Sequence, residues 1–273
     1  MIGVASRPRS RPQPNFTHDH VSYSSICAYQ RCPLAYFYRY VARLPERTIS
    51  SNLVFGSAIH RAIQFHFDES MAGNEPASLE SLLGEFDAAR NEFEPSSVRY
   101  SRKEDRDAQL PIAERVLAAF QSNPASKPNG TILGIEEELR GSVVSGCPDL
   151  LGRIDLIVET RDAVVIVDWK TSRARWSRYQ VAAAAPQLLL YSELVKPLAP
   201  RKRLRLEFAV LSKAAKSCLD LHEVPVDQAQ IDRTKRIVER VWRAIDKAIF
   251  YPAPSPAQCP TCPFREPCRQ WTG

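Results

Sequence analysis

Ala163-Val-Val-Ile-Val-Asp-Trp169 is a short, nearly unbroken apolar run. A run of that length, rich in β-branched residues, predicts a strand covered on both faces, as at the centre of an α/β sheet. Ahead of it, Gly152–Glu159 reads as a second strand, and Thr160-Arg161-Asp162 as the turn that makes the two a hairpin. Each strand is interrupted by one acid, Asp155 and Asp168. A turn centred on Arg161 or Asp162 sets them nearly opposite one another, with Cβ atoms about 4.5–5.5 Å apart. Carboxylates that close repel unless a proton or cation lies between them, and an unpaired charge in an apolar strand is costly. A divalent cation with oxygen ligands resolves both problems. Magnesium or manganese fits, because each takes carboxylates and keeps positions open for phosphate oxygens.

Alternation along a strand puts Lys170 on the face of Asp168 and Trp169 on the other. An ammonium group beside a cation and a phosphate can offset developing charge or orient water. The plainer reading is a salt bridge that neutralises Asp168. In Gly56-x-x-x-His60 the glycine lies one helical turn before the histidine, so backbone or ligand can come close there. His66, His18 and His20 read as structural. Gln187 and Tyr191 share one helix face and can hydrogen-bond phosphates or base edges, at a spacing that is common.

Around the hairpin, Thr131–Leu139, Arg203–Leu211 and Leu219–Val224 read as further strands. Ser22–Arg43, Asn52–Met71 and Gln228–Phe250 read as helices, as does Pro186–Val195 with its proline in the first turn. Residues 72–130 read as mostly helical and polar, broken at Gly73, Pro95, Pro111 and Asn123–Gly130. The prediction is an α/β fold: a central mixed sheet flanked by helices. Residues 1–20 would be a flexible basic tail and 21–273 a single domain, with a helical insertion at about 72–130 and a Pro- and Cys-rich loop at 252–270. Of the 273 residues 44% are hydrophobic and 25% charged, which excludes a disordered or collagen-like chain and allows a sizeable core. The net charge of +6 is compatible with a polyanionic partner. No apolar run is long enough to span a membrane, and the first residues lack the apolar core of a secretory signal, so a cytoplasmic protein is expected.

Three of the seven cysteines crowd into Cys259-x2-Cys262-x5-Cys268. Cys32, followed by Pro33, is the first choice for a fourth ligand, with Cys27 as rival. Four thiolates suit tetrahedral zinc or an iron–sulfur cluster, and spacing does not choose between them. Either would clasp the two ends of the chain. Cys147 and Cys218 read as small core or loop residues.

Taken in order, Ser22-Tyr-Ser-Ser-Ile-Cys-Ala-Tyr-Gln-Arg-Cys32-Pro33, Phe55-Gly-Ser-Ala-Ile-His60, Gly152-Arg-Ile-Asp155, Val167-Asp-Trp-Lys-Thr171, Gln187-Leu-Leu-Leu-Tyr191 and the closing cysteines resemble the RecB-like branch of the PD-(D/E)XK nuclease superfamily. The likeness is to its iron–sulfur members, CRISPR-associated exonucleases and AddB-type nuclease domains, and covers nearly the whole chain. It implies a restriction-endonuclease-like core. It also implies a Mg²⁺ or Mn²⁺ held by His60, Asp155, Asp168 and the Trp169 carbonyl, with Asp155, Asp168 and Lys170 catalytic. Gln187 and Tyr191 would lie near DNA, and Cys32, Cys259, Cys262 and Cys268 would hold a 4Fe–4S cluster. The implied activity is a DNA nuclease, an exonuclease preferring single strands, in recombination, repair or CRISPR-type processing. Aromatic and basic residues at Tyr36–Arg39, with Arg173, Arg175, Trp176 and Arg178, would stack bases and neutralise phosphates. No G-x4-G-K-[ST] motif is present, so unwinding would need a helicase partner, and a CRISPR adaptation partner is equally open. The alternative from another class is a DNA-binding or scaffold subunit with a vestigial metal site. Zinc is the alternative for the cysteines.

Overall fold

A computed structural model describes residues 19–100 and 105–272. The expected basic tail lies outside the described residues as far as residue 18. In chain order the elements are β1 (His20–Ser22), α1 (Tyr23–Arg31), α2 (Pro33–Tyr36), β2 (Ile49–Ser50), α3 (Ser51–Met71), α4 (Leu79–Asn91), β3 (Val98–Arg99) and α5 (Arg106–Gln121). Then follow β4 (Thr131–Gly141), β5 (Asp149–Glu159), β6 (Ala163–Ser172), α6 (Arg178–Val195), β7 (Arg203–Ser212), β8 (Leu219–Val224), α7 (Gln228–Asp246) and α8 (Arg265–Arg269).

The main sheet is mixed. β5 pairs antiparallel with β4 and β6, β6 runs parallel to β7, and β8 closes the far edge antiparallel to β7. β6 is the doubly covered strand that its apolar run predicts. Val165, Val167 and Trp169 point into a core with Ile59, Ile63 and Phe67 of α3 and Phe120 of α5. Val164 and Ile166 point the other way, to Leu188 and Leu189 of α6. Burying aliphatic side chains of this size stabilises the fold by roughly 1.5–3 kcal/mol each. α7 packs against α1 and α6, with Val238, Val241 and Ile245 beside Ile26, Tyr29 and Leu190.

The hairpin and the strands fall where the pattern puts them, and four helical expectations are corrected. The expected helix over 22–43 is interrupted: Cys32 is extended, at φ −163° and ψ 105°. The ring of Pro33 disfavours helical backbone in the residue before it. α6 begins at Arg178 rather than Pro186, because Ser177 and Gln180 form a reciprocal capping box. Pro186 and Pro111 therefore lie inside helices. Each leaves the carbonyl four residues earlier without its donor, at Ala182 and Asp107, and both residues are exposed, so water can satisfy them. α7 ends at Asp246, shortly before Ala248 at φ 53°. The short strands β1, β2 and β3 carry no pattern that marks them.

Candidate active site

The site begins with register. Ile135 pairs with Leu156 and Glu137 with Ile154, so Glu136 stands opposite Asp155. Leu156 pairs with Val167, so Asp155 stands opposite Asp168. Three acids thus form a row across three neighbouring strands. The β5–β6 ladder stops at Leu156/Val167, one pair short of the two aspartates. β1 pairs with β5 only at Asp149–Leu151. Because β4 runs along the opposite edge, β1 and β6 share one edge of β5 and leave Gly152–Asp155 between them as a notch.

Asp155 sits at this notch. Its Oδ2 accepts the Trp169 N–H at 2.7 Å, replacing the backbone carbonyl that a continued ladder would supply. The Trp169 carbonyl leaves from the same strand edge as its N–H, toward the notch. His60 reaches in from α3, its Nδ1 3.6 Å from Asp155 Oδ2 and 3.7 Å from Glu136 Oε1. Arg153 Nε holds the other Glu136 oxygen at 2.7 Å. Glu136 itself has φ 51°, a left-handed conformation beside a register shift between Ile132 and Gly134. Such a conformation costs on the order of 1–3 kcal/mol in a non-glycine residue and concentrates at functional sites.

Asp168, 2% exposed, is gripped from α6. Gln187 Nε2 donates to its Oδ1 at 2.9 Å, and Gln187 Oε1 accepts from Lys170 Nζ at 3.2 Å. Lys170 Nζ lies 2.5 Å from Asp168 Oδ2, so the plain salt bridge is present. Even so, that buried oxygen receives no hydrogen bond of good geometry. The Tyr191 hydroxyl accepts from Gln187 Nε2 at 3.2 Å, and the ring is buried. Burial foremost pushes the Tyr191 pKa up to about 12. Gly152 makes this grip possible: a Cβ there would lie 2.9 Å from Tyr191 and Leu194 side-chain atoms. On the opposite side, a Cβ at Gly56 would lie 3.2 Å from Thr171 Oγ1, so the glycine lets α3 carry His60 close to β6.

Charge is crowded here. Burial, then Asp168, pushes the Asp155 carboxyl up to about 7. Burial opposes charge on His60 too, but Glu136 and Asp155 outweigh it and raise its pKa. Burial likewise opposes the Glu136 carboxylate, and His60 and Arg153 outweigh it and lower its pKa. Among the described residues, His60, Glu136 and Asp155 bring their donor atoms within 4.8 Å of one another. One imidazole nitrogen, carboxylate oxygens and the poorly satisfied Asp168 Oδ2 are a donor set suited to Mg²⁺ or Mn²⁺, and a cation would relieve the repulsion that raises Asp155. His60, Glu136 and Asp155 line a cleft of about 560 Å³ with Gly56, Arg61, Lys170 and Thr171.

Glu136 is the one donor that the sequence reading does not single out. The signal is a turn: Gly146, at φ 74°, centres the β4–β5 connection and sets residue 136 against 155. The stacking expectation is corrected. Tyr36 and Tyr38 are 2% and 7% exposed, with their rings in the interior. Trp176 packs on Phe208 at 5.4 Å, and Arg175 is paired with Asp220 through two bonds. His66 is structural, its Nε2 2.9 Å from the Ser126 carbonyl.

Cys32, Cys259, Cys262 and Cys268 line one hollow of about 340 Å³ beside Leu34, Tyr38 and Phe264. Burial, then the thiols of Cys32, Cys262 and Cys259, raises the Cys268 pKa. Four soft donors gathered in one hollow suit zinc or iron. Cys27 does not line this hollow and sits beside Tyr23. Cys147 packs in the α1–α7 core, and Cys218 bonds Ser212.

No curated protein sequence matches this chain significantly. Among solved structures, a candidate exonuclease from Eubacterium rectale superposes with a TM-score of 0.58 at 14% identity, over 96% of this chain and 94% of that one, a likeness of fold. A second, SSO0001, reaches a TM-score of 0.35 at 16% identity over 81% and 84%. The sequence model of the PD-(D/E)XK nuclease superfamily spans residues 20–269, from β1 to the end of α8, and the chain belongs to that superfamily of nucleases.

Proposed function

We propose that this chain is a Mg²⁺- or Mn²⁺-dependent DNA exonuclease of the RecB-like iron–sulfur branch, acting on single strands with free ends. The observation that carries the reading is the row Glu136–Asp155–Asp168, with His60 on one side and Lys170 on the other. His60, Asp155, Asp168 and the Trp169 carbonyl would hold the cation, joined by Glu136. When bound, the cation supplies positive charge that polarises the phosphodiester and acidifies water. Lys170 offsets negative charge on the phosphate oxygens as it builds up. Gln187 keeps Lys170 ready, accepting from its Nζ while donating to Asp168, so ammonium and carboxylate cannot turn independently. Tyr191 keeps Gln187 in place from the next turn of α6. Arg153 orients Glu136 toward His60.

Cys32, Cys259, Cys262 and Cys268 would hold a 4Fe–4S cluster as a structural clasp, supported by their shared hollow. Iron and sulfide measured on protein purified without oxygen distinguish this from zinc. The activity is tested with end-labelled single- and double-stranded linear DNA and circular DNA, in Mn²⁺ and in EDTA. The expected result is progressive loss of linear single strands, sparing of circles and full inhibition by EDTA. Cleaved circles would overturn the exonuclease assignment, and DNA shifted but never cut would favour a binding subunit.

A further inference from the structure

The cleft continues beyond the metal donors. Past Lys170, β6 leads to a second hollow of about 350 Å³ lined by Asn52, Thr171, Ser172, Arg173 and Lys213. The two hollows share Asn52 and Thr171, so they form one groove alongside the first turns of α3. Asn52, Gly56 and His60 follow at intervals of four and stand on one helix face. From Asn52 to His60 the helix rises about 12 Å, roughly three or four nucleotide steps at a stacked strand's rise of about 3.4 Å.

The groove is polarised along that length. Glu92, Glu136 and Asp155 line the His60 end and offset Arg61, Arg153 and Lys170 there, whereas the far hollow has two cations and no acid in its lining. Lys213 is fixed there three ways. Its backbone N–H donates to the Ser172 carbonyl at 2.7 Å, its Nζ to Asn52 Oδ1 at 2.6 Å, and the ammonium lies 4.9 Å from the Phe55 ring centroid. Arg173 is exposed and enters no ion pair among the described residues. Leu53, 62% exposed, is the neighbour of Asn52 in the first turn of α3 and lines the first hollow where the two meet. One end thus gathers a cation and the other presents two cations and hydroxyls to an anion.

We propose that the far hollow is a phosphate subsite for the strand adjoining the bond to be cut. Arg173 and Lys213 neutralise backbone phosphates, Thr171 and Ser172 hydrogen-bond them, and Leu53 meets a sugar or base. This rests on the nuclease reading and adds where the strand runs.

The test is binding of labelled oligothymidylates of two to twelve nucleotides to the full chain in EDTA, across a series of salt concentrations. Wild-type affinity is expected to climb steeply over the first four nucleotides. In Arg173→Gln/Lys213→Gln the affinity for longer strands falls about tenfold and the salt slope by about 1.4, at roughly 0.7 per lost contact. Arg173→Gln alone, which removes no ion pair among the described residues, loses about half of that slope. Arg233→Gln, an equal charge change on the outer face of α7, is expected to keep the length dependence. If wild type binds and the double variant keeps both slope and length dependence, the subsite is wrong while the nuclease reading stands. If wild type binds no oligonucleotide in EDTA or with Ca²⁺ in its place, the nuclease reading itself fails.

Discussion

At the scale of single residues, Asp155 is held at a cost that a bound cation would remove. Its folded pKa lies above its unfolded value, so the folded chain binds more protons between about pH 4 and 7 and loses stability as pH rises through that window. Asp155→Asn keeps an acceptor for the Trp169 N–H and removes the charge. The metal-free variant is expected to be more stable at pH 7 by on the order of 2 kcal/mol. Thermal melts with and without Mn²⁺ check this: the metal should raise the wild-type midpoint and leave the variant unmoved. His66 titrates in the opposite sense. Burial lowers its pKa, so its neutral form contributes stability that is lost as pH falls below about 6.5. Against the opposite trend set by Asp155, the wild-type midpoint should fall relative to that of His66→Gln between pH 7.5 and 5.5; a constant difference between the two contradicts the assignment. Asp155, Asp168 and Lys170 were legible because acids are rare inside apolar strands. Glu136 was not, since Glu137 and Glu138 follow it and only the turn at Gly146 tells which of the three faces Asp155.

At the scale of elements, the two motif glycines act as spacers. Gly152 admits Tyr191, and Gly56 admits Thr171. Gly152→Ala forces side-chain atoms at 2.9 Å to move. The expected cost is about 1–3 kcal/mol. The displaced α6 should also withdraw Gln187 from Asp168 and Lys170, so turnover should fall more than the melting midpoint explains. Single-turnover cleavage compared with a melt separates the two, and wild-type turnover in a destabilised variant would refute the spacer role. Element types followed from periodicity, and their ends followed from chemistry that is harder to weigh. Pro186 read as a helix start because a missing N–H is harmless there. The capping box at Ser177 and Gln180 begins the helix two turns earlier, and the exposed Ala182 carbonyl tolerates the loss.

At the scale of the whole molecule, the cysteine loop ties the end of the chain to its beginning. Apolar and backbone contacts already hold it: Leu34, Tyr38 and Phe264 pack together, the Tyr38 hydroxyl donates to the Pro267 carbonyl, and Leu34 N–H to the Tyr251 carbonyl. A cluster held by the four cysteines would add to this tie by closing a long loop. Cys259→Ser is therefore expected to leave the sheet folded and to expose the loop and the α1–α2 segment to limited proteolysis. Equal protease resistance in both forms would count against the clasp. The plan of a sheet covered by helices on both faces was legible from the doubly apolar β6. The notch between β1 and β6 was not, because it depends on where β1 joins β5, and three residues carry no periodicity.

The central claim is that a cation at this notch and Lys170 together hydrolyse a phosphodiester. The most direct measurement is Mn²⁺ binding and single-turnover cleavage of labelled single-stranded DNA, made in parallel on wild type, Asp168→Asn and Lys170→Ala. The account predicts that Asp168→Asn loses metal and cleavage together. It predicts that Lys170→Ala binds Mn²⁺ yet cleaves at least about a hundredfold more slowly, the loss typical of removing one charge-stabilising donor. Cleavage at the wild-type rate by the lysine variant, or wild-type activity in EDTA, would contradict it.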